Sequence, residues 1–502
     1  MKKNVFIFML FVVGFFMLPY TQHFVYGDET RLPNQDLVKN LEELNRERVY
    51  GKGPGLVERY SLESATGRDK KIEQYDTDIK LDDDIYRLTT DALLLLNPSA
   101  MFSEVAWVLD KYDLKVVDRI PPLGLIRVYS PSSFYEPLPF APLGPTLEER
   151  LNQEDAIKLV VPNTVMESHA RPPSDSDISY LTGSGKEHVG WWMDDAGVTP
   201  VWKELLQDEY NLGVIDDGFA RHDDLIYSAG DPNSCPLAND HGNHVSGIAC
   251  AQHDGFGVKG VLPNCTVHFA ARSRRFDLDF EDDPLSKRQG LFSDVIATAR
   301  RFVDRNSGKV KTINISMGYK WRESLSLNPQ DAHEKALRNG VRTQGIASLT
   351  LLDYFNEKGG VIVSSAGNDS AGLSSPISAR WASPFNWAAM EVAQLSGWRN
   401  GIVVEAHDIS GKRLELSNID GAISAPGEEI LSSVARGPRS YAPKTGTSMA
   451  APFVAAAFEA LRVRFPTKSP PELIRCLTDN NQETNAGTPK LNLQQAIKNC
   501  SC

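Results

Sequence analysis

The chain has no cysteine before residue 235, no stripe of lysine and arginine, and, beyond its first 27 residues, no apolar run long enough to cross a bilayer. Positive charge is in deficit, with 53 Lys and Arg against 65 Asp and Glu and a formal net charge of -12. Nucleic acid and anionic membrane surfaces are held by basic patches, so both are disfavoured as partners, and the acidity reads mainly as solubility. No Gly-x-Ser-x-Gly element occurs. That absence argues against an α/β-hydrolase esterase, whose nucleophile sits on such an elbow.

With 502 residues and 41% hydrophobic side chains, the chain can form more than one domain and a large core. Met1-Lys2-Lys3 followed by the short apolar run 5–18 reads as a signal peptide over residues 1–27, with an uncleaved anchor as the alternative. Export agrees with the six cysteines, which suit disulfides in an oxidising compartment. Sequence proximity pairs Cys250 with Cys265, and Cys476 with Cys500 or Cys502. The alternative for Cys500-Ser501-Cys502 is a soft metal pair. Residues 28–85, with Asp82-Asp83-Asp84, are charged and weakly periodic and read as a flexible extension.

Residues 86–165 have their own rhythm. A strand at 93–96 precedes a helix at 103–112, with Val105, Val108, Leu109 and Tyr112 on one face. Strands at 115–120 and 125–130 flank the turn Pro121-Pro122-Leu123-Gly124, and after a proline-rich stretch come a helix at 147–153 and a strand at 156–161. The order βαββαβ predicts a small α+β ferredoxin-like unit. Residues 166–188 carry polar punctuation suited to an exposed linker, and residues 189–502 form the main domain. There, apolar runs at 212–215, 266–270, 310–315, 361–364 and 402–404 alternate with helical stretches, among them 450–463 and one presenting Val295, Thr298, Ala299 and Phe302. Such alternation predicts an α/β domain with a doubly wound, mostly parallel sheet covered by helices on both faces. Trp191, Trp192 and Trp202 read as core or cleft-rim aromatics, and 319–358 as a long connection forming one wall of the cleft. The acidic run 276–283 is taken as a solvated loop, with calcium or basic substrate residues as alternatives.

The most informative stretch is Gly446-Thr447-Ser448-Met449-Ala450-Ala451-Pro452, where a serine opens a helix beside unpaired N–H groups and the positive end of its dipole. A serine nucleophile needs a base and a carboxylate to orient it. The run Leu212-Gly213-Val214-Ile215-Asp216-Asp217-Gly218 ends in a carboxylate at the tip of a buried strand, and Asp240-His241-Gly242-Asn243-His244 offers the base. A further buried strand ends in Ser365-Ala366-Gly367-Asn368, whose amide can donate to an oxyanion. A metal site on Asp240, His241 and His244 is disfavoured by the spacing, and His244 reads as structural.

Together these residues resemble the subtilisin-like serine proteases, whose acid, base and nucleophile follow the order Asp, His, Ser. The resemblance implies Asp216 as acid, His241 as base, Ser448 as nucleophile and Asn368 as oxyanion donor. It makes Asn314-Ile315-Ser316-Met317-Gly318 the strand that pairs with substrate, so that Ser316, Met317 and Gly318, with Ser365, Ala366 and Gly367, border the first specificity pocket. Asp217, Asn243 and Ser246 depart from the commonest family pattern. Asp-Asp-Gly is similar to the kexin-like branch, which cuts after basic residues, but His244 and Met449 follow ordinary subtilisins, and no basic preference is inferred. The implied protein is a monomeric, secreted or periplasmic serine endopeptidase acting on protein or peptide substrates, with residues 86–165 as a propeptide that helps folding and then inhibits intramolecularly. A permanently attached accessory domain is the alternative for that segment. No cofactor is required for the chemistry, and no metal-binding residue is assigned. The family often binds structural calcium, for which no complete oxygen-ligand loop is readable. The alternative for the whole is a catalytically silent binding module on the same fold.

Overall fold

The computed structural model describes residues 81–82, 85–120, 123–137, 144–168, 189–228, 240–271, 290–322, 327–331, 334–396, 399–479 and 482–501. The signal segment, nearly all of the 28–85 extension, linker residues 169–188, the acidic run 276–283, Cys235 and Cys502 lie outside the described residues. Two compact units divide the chain: one takes in Thr89–Val161, the other Pro162–Cys502 together with Ile79–Leu88.

In the first unit, β1 (Ile85–Leu96, which enters it at Thr89), α1 (Phe102–Lys111), β2 (Lys115–Ile120), β3 (Leu125–Tyr129), α2 (Leu147–Leu151) and β4 (Ile157–Ser168, which leaves it after Val161) follow the βαββαβ order. The sheet order is β4-β1-β3-β2. Apolar spacing drives the packing: Val105, Val108 and Leu109 of α1 join Leu94 and Val128 of the sheet in one buried cluster. Helix α2 starts at a capping box, Thr146 Oγ1 accepting from Glu149 N at 3.1 Å. Across the sheet, Arg127 Nε donates to both carboxylate oxygens of fully buried Asp91, at 3.0 and 2.9 Å.

The second unit is built on a 7-stranded sheet. Its strands are β5 (Tyr210–Asp216), β6 (Ile226–Tyr227), β7 (Cys265–Ala271), β9 (Thr312–Ile315), β11 (Val361–Ser365), β12 (Gly401–His407) and β13 (Ile423–Pro426), in the order β13-β12-β11-β9-β5-β7-β6. Every pairing along that path is parallel. Alternate residues face opposite helical layers. Leu212 and Val214 of β5, with Val361 and Val363 of β11, join the cluster containing α4 (His241–Cys250), α8 (Thr447–Arg464), α9 (Pro470–Thr478) and α10 (Leu493–Ser501). Gly213, between them, faces the other way, where a Cβ would come within 2.9 Å of Phe302 on α5 (Phe292–Asn306). The doubly wound α/β architecture is therefore as expected. Trp192 and Trp202 are buried in the first of these layers.

The long connection 319–358 contains a helix that the sequence reading did not give, α6 (Lys335–Glu357), which packs on α7 (Pro384–Ser396). Buried positions Leu337, Val341, Gln344, Ser348, Leu351 and Phe355 recur at helical spacing, but Gln344 and Ser348 occupy apolar places and so mask the period. Gly345 permits the close crossing, since a Cβ there would lie 2.3 Å from the Trp387 ring. Two disulfides, Cys250–Cys265 and Cys476–Cys500, join the ends of α4 and β7 and link α9 to α10, so Cys476 takes Cys500 of its two expected partners.

Candidate active site

The sheet reverses its winding between β5 and β9, and functional groups gather at the carboxyl ends of strands beside such a switch point. Asp216 is the last residue of β5, and Ser316 follows the last residue of β9. Asp216 is fully buried, and its Oδ1 lies 2.7 Å from His241 Nδ1 and accepts from Asp217 N at 2.7 Å. A carboxylate at Nδ1 fixes the imidazole tautomer and orientation. His241 opens α4, and the glycine after it is required: Gly242 N donates to Asp217 O at 2.5 Å, and a Cβ would stand 2.6 Å from that oxygen.

Asn243, unusual against the family pattern, also has a local task. Its Oδ1 accepts from Ala220 N (2.9 Å) and Tyr227 Oη (2.7 Å), and its Nδ2 donates to Ala220 O at 3.1 Å, tying the loop after Asp216 to the helix of His241. His244 is fully buried and bonded to Ala442 O at 2.9 Å. Burial, followed by the Lys444 charge, holds it well below the usual histidine range, so it is neutral. Lys444, at the end of the strand Tyr441–Lys444, donates to Asp240, the residue preceding His241. Burial lowers the Lys444 ammonium from its ordinary range, while Asp240 and Asp216 both favour its charged form.

Ser448 lies in the first turn of α8, which packs on α4, and is buried. Gly446 precedes that turn at φ 150, a conformation that favours glycine. The Ser448 hydroxyl donates to Ser316 O at 3.2 Å. Asn368 follows β11, and its Oδ1 accepts from both Thr447 N and Thr447 Oγ1 at 3.0 Å, which fixes the amide orientation and makes Nδ2 its donor end. Gly367, at φ 94, is shaped by Asn418, whose Nδ2 donates to Ala366 O at 3.0 Å and whose Oδ1 accepts from Asp369 N at 3.1 Å. Asn386 Nδ2 holds Ser365 O at 2.9 Å.

The expected substrate-binding strand also has a partner. Residues 162–168 belong to the second unit, and their chain pairs antiparallel first with β8 (Gly290–Leu291), Val165 opposite Leu291 and Met166 opposite Gly290. It then pairs with β10 (Met317–Gly318), Glu167 opposite Gly318 and Ser168 opposite Met317. A model of the subtilase family matches residues 197–496, the region holding every candidate site residue. The chain belongs to the subtilase family. Among relatives, the minor extracellular protease Epr of Bacillus subtilis (strain 168) is 26% identical over 325 residues, covering 63% of this chain and 42% of its own length. Fervidolysin of Fervidobacterium pennivorans is 27% identical over 312 residues, with 58% and 40% covered. The crystal structure of fervidolysin, a keratinolytic enzyme related to subtilisin, superposes with a TM-score of 0.55 at 20% identity, covering 84% of this chain and 62% of the other, which shows a subtilisin-like fold. In sequence this subtilase matches less than half the length of Epr and of fervidolysin, 42% and 40%.

Among the described residues no group of His, Cys, Asp and Glu is arranged to hold a metal, and no helix is long and apolar enough to cross a membrane. Sequence motifs had pointed to Asp216, His241, Ser448, Asn368 and both substrate segments. Asn418, Asn386 and Lys444 were not among them, and Thr447 and Asp240 entered only as neighbours of Ser448 and His241. Their only signal was a polar residue inside an otherwise apolar or Gly-rich stretch.

Proposed function

We propose that this subtilase is a secreted, monomeric serine endopeptidase that acts on protein or peptide substrates and is made as a self-processing precursor. His241 takes the Ser448 Oγ proton as that oxygen attacks a peptide carbonyl, and Asp216 stabilises the imidazolium that results. The oxyanion is met by Asn368 Nδ2 and by the Ser448 N–H at the start of α8. The leaving amine takes the proton from His241, and water then repeats the sequence on the acyl-enzyme, releasing the acid and restoring Ser448. No cofactor enters the cycle.

The observation that supports this most directly is the seating of residues 162–168. An extended chain lies antiparallel to Met317–Gly318, the residue before which, Ser316, has its carbonyl bonded to the Ser448 hydroxyl. A substrate would add a strand in the same way, since main-chain pairing recognises any extended peptide. Residues 86–165 then serve as the propeptide, 162–168 as its inhibitory tail, and the first cut falls shortly after Ser168 in the linker. Residues 1–27 direct export, which suits the extracellular relatives and the disulfides.

A catalytically silent binding module is the second reading, and the bond from the Ser448 hydroxyl to Ser316 O is compatible with it. A fluorophosphonate probe separates the two. Covalent labelling mapped to Ser448, and lost in Ser448→Ala, is the expected outcome for the wild-type chain once its tail is released. A fully released chain that takes up no probe would leave only the binding module.

A further inference from the structure

Gln344 is fully buried in the middle of α6, where a side-chain amide needs partners for both of its ends. It finds them mainly in the tail. Gln344 Nε2 donates to Pro162 O at 2.6 Å and to Thr164 Oγ1 at 2.7 Å. The Pro162 carbonyl can only accept, which settles the amide orientation and turns Oε1 toward the Tyr319 hydroxyl. Tyr319, 4% exposed and just beyond β10, donates to Gln344 Oε1, and its oxygen stands 3.3 Å from Thr164 Oγ1.

The donors then run one way around a ring. Tyr319 Oη gives its single proton to Gln344 Oε1, Gln344 Nε2 gives one to Thr164 Oγ1, and Thr164 Oγ1 gives its own to Tyr319 Oη. The third member must both accept and donate at one atom, which a hydroxyl does, a carboxylate does not, and a methyl cannot. The site is buried, with Thr164 2% exposed and Asn163 and Met166 fully buried on either side of it. Removing the hydroxyl would take the acceptor from one of the two Gln344 Nε2 donations in a buried place.

We infer that Gln344 and Tyr319 form a remote specificity subsite that selects threonine or serine two residues N-terminal to the side chain opposite Gly290, and that Thr164 fills it in the precursor. Its second half, selection among substrates, rests on the proteolytic reading above. Its first half, retention of the tail, does not.

Two measurements test it, both on the full chain or on enzyme matured from it. In the Ser448→Ala chain, amide hydrogen exchange over residues 162–168 reads tail retention without catalysis. Thr164→Val, an isosteric change confined to the tail, is expected to speed exchange about tenfold or more, while Thr164→Ser stays within about threefold of the parent. Gln344→Leu should match Thr164→Val, and combining the two should add little, because either one opens the same ring. Matured wild-type enzyme, given peptides with the sequence of residues 160–172 carrying Thr or Val at position 164, should favour Thr by about tenfold or more in kcat/KM. The ratio is internal to one enzyme, so a partly impaired preparation does not distort it. Unchanged exchange in Thr164→Val, or a Thr/Val ratio near one, overturns the inference. Absence of cleavage of every peptide, with exchange responding as expected, would instead overturn the proteolytic reading and leave the tail latch standing.

Discussion

Asn368 is oriented by its neighbours before any substrate arrives. Thr447 occupies its amide oxygen twice, and Asn418 braces the two residues before it, so in the proposed mechanism no reorganisation is needed when charge develops on a bound carbonyl. Asn368→Ala is expected to lower kcat by roughly 100- to 1000-fold, about 3 kcal/mol, the loss known for the corresponding donor in a subtilisin, with KM changed little. Steady-state kinetics on one peptide substrate decides it, and an unchanged kcat would remove Asn368 from that role. Residues of this kind were legible because each sits in its own short signature. Asn418 was not, because it reaches the same loop from 49 positions away. Residue types alone also mislead: Asp195, His407 and Ser424 bring together the same three residue types as the candidate triad, with contacts of 2.8 Å from His407 to each. Ser424, however, is buried within β13, its N–H bonded to Pro489 O, and Lys490 pairs with Asp195, so the cluster ties strands to the C-terminal segment.

At the scale of elements, five of the seven strands of the parallel sheet were readable as mainly apolar runs, since both faces are covered, whereas β6, of two residues, and β13, with Ser424 inside it, were not read. Helix α6 was not, because its buried face spends two places on Gln344 and Ser348. Strand β12 hides a further exception in Glu405, fully buried, accepting from Gly421 N at 2.8 Å and Thr488 Oγ1 at 3.0 Å. Burial pushes this carboxyl from an ordinary 4.5 up to about 7. The folded state thus prefers the protonated acid. Its contribution is complete below about pH 4.5 and is lost as pH rises through about 7. Glu405→Gln keeps the shape without the ionisation, so its melting temperature should gain on the wild type by several degrees between pH 5 and 8.5. A difference that stays constant over that range would show that Glu405 does not ionise there.

For the whole molecule, the decisive geometry is the switch between β5 and β9, which sets Asp216 and Ser316 at one end of the sheet while α4 and α8 bring His241 and Ser448 to it. The repeated alternation of strand and helix was enough to anticipate the doubly wound sheet, while the strand order that makes the switch was not readable from it. The path of residues 162–168 was not, because a polar linker gives no periodic signal of the strands it will join. In the proposed function that path ties residues 162–168 to the candidate site. The most direct test is to produce residues 28–502 as wild type and as Ser448→Ala and to determine intact masses and N-terminal sequences of both. Wild type should separate, with a new N-terminus between residues 169 and 190, while Ser448→Ala stays whole. Cleavage of both chains at the same bond, or of neither, would contradict self-processing by Ser448.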